Sequence, residues 1–313
     1  KAKKYNIQLI AGISPGLDFQ YEIKYSKDKN TDFNILCRKL EQLINFGADN
    51  VAVLLDDIPN NLVNVCKLHS TEGTVHSNLI NQLSRKLLTP VYFVPRVYAF
   101  EIEKKNCNYI KDISIHLDKS NPIFFCGKNI IQKNIENNVF SQKFNITPNR
   151  LIFWDNLYAN DYCPKKIFIG TWHKRNSNLN IMVNLTGNIE IDILNLYFVA
   201  QKGRNISEKK TWHNALKKYA IPYQFLILKK FFSPKNSFSL KNDKFFILNS
   251  SFFNDLEYLL WKWKSPLSRE LFPYLLSLKQ ELEIYNNKTK SDRIIKTQTI
   301  TLARILSKER IKL

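Results

Sequence analysis

VAVLLDDI, residues Val51–Ile58, carries five consecutive apolar side chains into two adjacent carboxylates. An uninterrupted apolar run of this length is the pattern of a strand covered on both faces, as in a parallel sheet. Working outward, similar short runs recur at Tyr5–Ile13, Val91–Val94, Ile123–Cys126 and Leu151–Trp154, with Ile189–Val199 as a strand-like or buried segment. Helical spacing separates several of them, over Phe33–Phe46, closed by Gly47, and over Val75–Leu88. Strands alternating with helices predict an α/β chain with a parallel sheet.

Two architectures fit that rhythm, an open doubly wound sheet and a (β/α)8 barrel. Polar residues gather just after the strands, at Ser14, Asp56, Asp57, Tyr98, Cys126 and Asp155 to Asp161. Both architectures place active sites at those strand ends. The sequence has neither GxGxxG after its first strand nor GxxxxGK[ST] anywhere. The barrel is therefore the expected fold. From Gly203 onward the pattern turns helical, over Lys209–Tyr219, Asn254–Lys264, Arg269–Tyr285 and Ser291–Lys308. The division expected is a partial barrel over 1–202 and a helical region over 203–313. That region would pack on the barrel or on a second copy, so a homodimer through the C-terminal helices is one expectation.

The 313 residues are 44% apolar and 24% charged, which is ordinary globular composition. Lys and Arg number 47 against 27 Asp and Glu, for a formal charge of +20. Such an excess favours polyanions. Here, however, lysine is spread through turns and tail and outnumbers arginine, whereas sequence-reading proteins lean on arginine forks. No nucleic-acid function is expected, and the lysines read as solvated faces. Five cysteines without a CxxC pair argue against a disulfide framework or zinc ribbon. The five histidines lack metal-ligand spacing. No cofactor or metal is expected, no signal or membrane segment is read, and the expected compartment is the cytoplasm.

Two stretches could carry chemistry. Adjacent carboxylates at a strand mouth repel, so one tends to hold its proton while the other stays ionised, the pair that acetal hydrolysis needs. Asp56 and Asp57 fit that description, but equally a magnesium site, a helix cap or two solvated acids. In LIFWDNLYANDY, Leu151–Tyr162, a tryptophan, aspartates and asparagines follow a strand. Aromatic faces stack on sugar rings and Asn or Asp fork to hydroxyls. An Asn-rich loop satisfying its own backbone reads the same way.

The set AGISPGLDFQY (Ala11–Tyr21), VAVLLDDI, FVPRVY (Phe93–Tyr98), IFWDNLYANDYCPKKIFIG (Ile152–Gly170) and NLTGN (Asn184–Asn188) resembles glycoside hydrolase family 84 in order and spacing. These are the β-N-acetylglucosaminidase or O-GlcNAcase catalytic domains. The resemblance implies an exo-acting, retaining enzyme in which the substrate's 2-acetamido oxygen is the nucleophile and an oxazoline the intermediate. It implies that Asp56 orients the acetamido N–H and that Asp57 is the general acid/base. It places Tyr98 near the acetamido group, Trp154 as an aromatic wall, and Asn156, Asp161 and Asn188 on the acetamido group and sugar hydroxyls. Cys126 stands where the family commonly has a pocket threonine. The expected partner is a glycoprotein or glycoconjugate bearing β-linked GlcNAc. A basic binding or scaffold protein that keeps the fold without turnover is the rival, and a magnesium-dependent phosphotransferase a third reading.

The family's first two βα units, with a GFYG-like turn and a sugar-contacting lysine, have no counterpart in this sequence. Six strands cannot close an eight-stranded barrel. The expectation is an N-terminally truncated catalytic domain, with a degenerate relative as the alternative; the chain would be poorly soluble or inactive alone, because a sheet edge and an apolar face would lie uncovered. Cys126 and Cys163 are expected near the pocket, where alkylation would slow turnover.

Overall fold

A computed structural model describes residues 2–15, 18–21, 31–58, 71–103, 108–132, 134–135, 148–161, 167–172, 174–175, 180–233 and 250–285. Cys163 and the segment Ser291–Lys308 lie outside the described residues.

The chain divides into two compact units, Lys1–Asp155 with Asn178–Met182, and Asn156–Ser177 with Val183–Leu313. The first carries the strands β1 (Ile10–Ile13), β2 (Asn50–Leu54), β3 (Val91–Val94), β4 (Ile123–Phe125) and β5 (Leu151–Asp155), while β6 (Ile181–Val183) ends at the division. The helices α1 (Asp32–Asn45), α2 (Glu72–Leu87) and α3 (Tyr109–His116) connect them. Strands β1 to β5 pair in parallel. The six follow in chain order across one sheet. A doubly wound sheet reverses its strand order at a switch point, whereas a barrel adds every strand on the same side. The order without reversal therefore makes this an incomplete (β/α)8 barrel, as the sequence led us to expect.

Local chemistry explains these elements. In β2 the run Val51 to Val53 is buried, and all three residues of β4 are buried, as strands covered on both faces require. Threonines cap the first two helices: Thr31 Oγ1 accepts from the Asn34 amide and Thr71 Oγ1 from the Thr74 amide. Helix α1 is capped at its C-terminus by Phe46, followed by Gly47 at φ 103°. Gly73 lets α2 approach α3, because a Cβ there would sit 2.5 Å from the Tyr109 carbonyl oxygen. The buried Asn81 donates to the His116 carbonyl at 2.8 Å and accepts from the Asp118 amide at 2.9 Å. Asn121 in turn accepts from the Val91 amide at 3.0 Å, so the end of α3 is fixed to the start of β3. The first core gathers Leu36, Leu40, Val53, Leu79, Phe93 and Phe125.

The second unit has its own core, around Phe198, Trp212, Phe225, Phe232, Leu256 and Leu271. Its helices are α4 (Ile189–Gly203), α5 (Glu208–Lys218), α6 (Phe225–Phe232), α7 (Ser250–Trp261) and α8 (Pro266–Tyr285). One expectation is corrected here: Ile189–Val199, read as strand-like or buried, is helix, and the sixth strand is Ile181–Val183. Helix α4 buries Ile191, Leu194 and Phe198 while Ile189, Ile193 and Leu196 are exposed. Apolar residues on both faces erase the helical period that would have identified it. Among the described residues, no helix is long and apolar enough to cross a membrane.

Candidate active site

In the first unit the sequence-predicted residues stand at the carboxyl ends of consecutive strands. Leu54 pairs with Val94, and the Leu55 amide donates to the Val94 carbonyl at 2.9 Å, carrying the β2–β3 ladder one residue past the strand. Asp56 and Asp57 follow in a turn, Asp56 half-buried and Asp57 exposed. Burial and, secondarily, the neighbouring Asp57 charge raise the Asp56 carboxyl above its usual range, partly offset by a hydrogen bond with its own backbone. The two acids thus differ in burial.

Beyond β3 the segment Pro95 to Ala99 is held from two sides. The Tyr98 carbonyl accepts from the Cys126 amide at 2.7 Å, and Ala99 bridges in parallel to Gly127. The Phe100 amide then donates to the Gly127 carbonyl at 2.9 Å. Gly127 has φ 99°, a conformation that suits glycine, and it turns the chain immediately after Cys126. Cys126 itself is 2% exposed, with its backbone held on Tyr98. Trp154, on β5, packs edge-on against Phe124 of β4 with ring centroids 5.7 Å apart. The structure therefore brings Asp56, Asp57, Tyr98, Cys126 and Trp154 to the same end of one sheet.

Three predicted residues belong to the second unit. Asn156 is buried, and its side-chain oxygen accepts from Asn184 Nδ2 at 3.0 Å. Asp161 is exposed. Asn188 precedes α4, and its amide donates to Thr186 Oγ1 at 3.0 Å. The Asp192 carboxylate accepts from the Thr186 amide and hydroxyl and from the Gly187 amide, which orders the NLTGN turn. Asn184 holds the predicted site residue Asn156 and Asp192 orders the turn before Asn188, roles that the sequence reading assigns to neither. Each is tied in sequence to NLTGN, the first by opening it and the second by lying in the first helical turn beyond it. Among the described residues, no group of three or more His, Cys, Asp or Glu is placed to hold a metal ion.

Comparison with known proteins adds to this geometry. The profile of a family described as beta-N-acetylglucosaminidase matches residues 1–232. Protein O-GlcNAcase of Mus musculus is 29% identical over 184 residues, 57% of this chain and 19% of that protein. Its Rattus norvegicus counterpart is 28% identical over the same shares. The aligned stretch is thus about a fifth of the length of these relatives. Among solved structures, a mutant of the Thermobaculum terrenum O-GlcNAc hydrolase aligns at TM-score 0.71 and 19% identity, covering 91% of this chain and 68% of that one. At that identity the likeness speaks for the fold.

Proposed function

The chain belongs to the beta-N-acetylglucosaminidase family, and from that membership we propose that it hydrolyses β-linked N-acetylglucosamine by substrate-assisted, retaining catalysis. The observation that carries the reading is the adjacent carboxylate pair at the end of β2, Asp56 half-buried and Asp57 exposed, in a fold shared with an O-GlcNAc hydrolase. Asp56 accepts the acetamido N–H and, as an anion, makes the acetamido oxygen a better nucleophile toward the anomeric carbon. Asp57, exposed and able to exchange protons with solvent, protonates the leaving oxygen and then takes a proton from the water that opens the oxazoline. The proton balance closes with Asp57 returned to its acid form. Tyr98 contacts the acetamido group, Trp154 offers its indole to the sugar, and Cys126 is assigned to the pocket wall by family resemblance. Asn156, Asp161 and Asn188 are assigned to the acetamido group and hydroxyls by family resemblance. The substrates proposed are O-GlcNAc-modified proteins or small β-GlcNAc glycosides, encountered in the cytoplasm. The helical region 203–313 is proposed as a C-terminal appendage and as a homodimer surface.

Release of an aryl group from an aryl β-GlcNAc, measured with and without EDTA, tests the activity. Turnover indifferent to EDTA is expected. Absence of turnover in a chain also supplied with the family's first two βα units would favour a binding protein, and loss with EDTA a metal-dependent reaction. The pH profile follows from the Asp56 environment. The free protein needs Asp56 ionised, and burial raises its carboxyl, so kcat/KM should fall on the acid side at a pH above the ordinary aspartate range. An acid limb lying at or below that range would contradict the assignment.

A further inference from the structure

Behind the Tyr98 segment lies a buried polar chain that the mechanism above does not use. The Arg96 guanidinium forks onto both carboxylate oxygens of Glu72, at the start of α2, and lies over the Tyr109 ring at 5.1 Å. The Arg96 amide donates to Tyr109 Oη at 3.0 Å, and Tyr109 Oη lies 2.8 Å from His76 Nδ1. His76 is fully buried, and the ring of Tyr21 stands 5.1 Å from it. Burial, with the nearby Arg96 charge, drives the imidazole down to about 3, so it is neutral.

Counting protons fixes the direction of the chain. The amide of Arg96 can only donate, so the Tyr109 oxygen accepts there and its own proton is left to place. If that proton goes to His76 Nδ1, the imidazole carries its hydrogen on Nε2, the one orphaned atom of the pair. If instead Nδ1 were the donor, both the Tyr109 proton and the Nε2 lone pair would be buried without a partner. Orphaned buried polar groups are costly, so the first arrangement wins.

We infer that Tyr109 is a positioning residue: its hydroxyl, ordered by the Nε2–H tautomer of His76, holds the Arg96 backbone and thereby sets Tyr98. This rests on the assignment of Tyr98 to the acetamido group. The geometry is that of a segment pinned at both ends. Arg96 is tied to α2 and α3, Val97 between is buried, and Tyr98 is tied to the exit of β4. Removing the Tyr109 hydroxyl takes this acceptor from the Arg96 amide, and a shift of a fraction of an ångström two residues on reaches the reacting group.

Three measurements on the full chain test it. In the unmodified protein, the His76 nitrogen resonances should show a protonated Nε2 and an unprotonated Nδ1 from pH 5 to 8; the reverse pattern, or an imidazolium at pH 6, overturns the relay. With 3-fluorotyrosine incorporated and the Tyr98 signal assigned by Tyr98→Phe, Tyr109→Phe should move that signal; an unmoved signal overturns the positioning. In kinetics, Tyr109→Phe should lower kcat/KM on the order of tenfold, but have little further effect in a Tyr98→Phe background. An equal loss in both backgrounds means a merely structural role. Were the chain inactive on β-GlcNAc even when supplied with the family's first two βα units, the function reading would fail while the two spectra still decided the relay.

Discussion

Asp57→Asn is expected to lower turnover of substrates with poor leaving groups by about 10²–10⁴-fold, the usual worth of a positioned proton donor. The loss should shrink steeply as the leaving group becomes more acidic, because a good phenolate needs little protonation to depart. The prediction separates Asp57 from any residue that merely shapes the site, which would affect every substrate alike. A plot of log kcat/KM against leaving-group pKa decides it: a steeper slope in the variant than in the unmodified chain is required. Parallel lines would remove Asp57 from the role of acid.

Asp56→Asn has the opposite signature. It removes the anion that supports the internal nucleophile, so a loss on the order of 10²–10³-fold, typical for one preorganised electrostatic partner, should fall equally on all leaving groups. The same variant carries a stability consequence. The folded protein raises the Asp56 carboxyl, chiefly by burial, so ionising it costs folding free energy. That contribution is stabilising below the unfolded pKa and is lost as pH rises through the folded one. The neutral amide escapes the cost, so Asp56→Asn should melt at a higher temperature than the unmodified chain at neutral pH. The difference should vanish as pH falls through the ordinary aspartate range, which a pair of melting curves checks. A functional group whose removal stabilises the fold is what an active-site charge in a partly buried setting produces.

How much of this was legible in the sequence varies with the physics of each element. Strand β2 and its acid pair were readable because a doubly covered strand must be continuously apolar and its polar ends stand out. The barrel order was readable from the absence of phosphate-binding glycines, and the unreversed strand order bears it out. Strand β6 was missed: Ile181–Val183 is three residues long and flanked by asparagines, too brief to show a period. Helix α4 was misread for the reason given by Ile189, Ile193 and Leu196, apolar residues left on its exposed face. The Glu72–Arg96–Tyr109–His76 chain was not visible at all. Its members come from three stretches of the sequence, Glu72 and His76 on α2, Arg96 after β3 and Tyr109 on α3, and only the packing of α2 on α3, with Gly73 at the close approach, brings them together. His76 looked like one scattered histidine among five, and its role depends on a tautomer that no spacing encodes.

The central claim is that the nucleophile belongs to the substrate and that Asp56 supports it. Replacing the N-acetyl group of an aryl β-GlcNAc by mono-, di- and trifluoroacetyl weakens the acetamido oxygen stepwise without altering the leaving group. The account predicts a steep, monotonic fall in kcat/KM across that series in the unmodified chain. A flat response, or a sugar found covalently attached to a protein carboxylate by mass spectrometry, would contradict it.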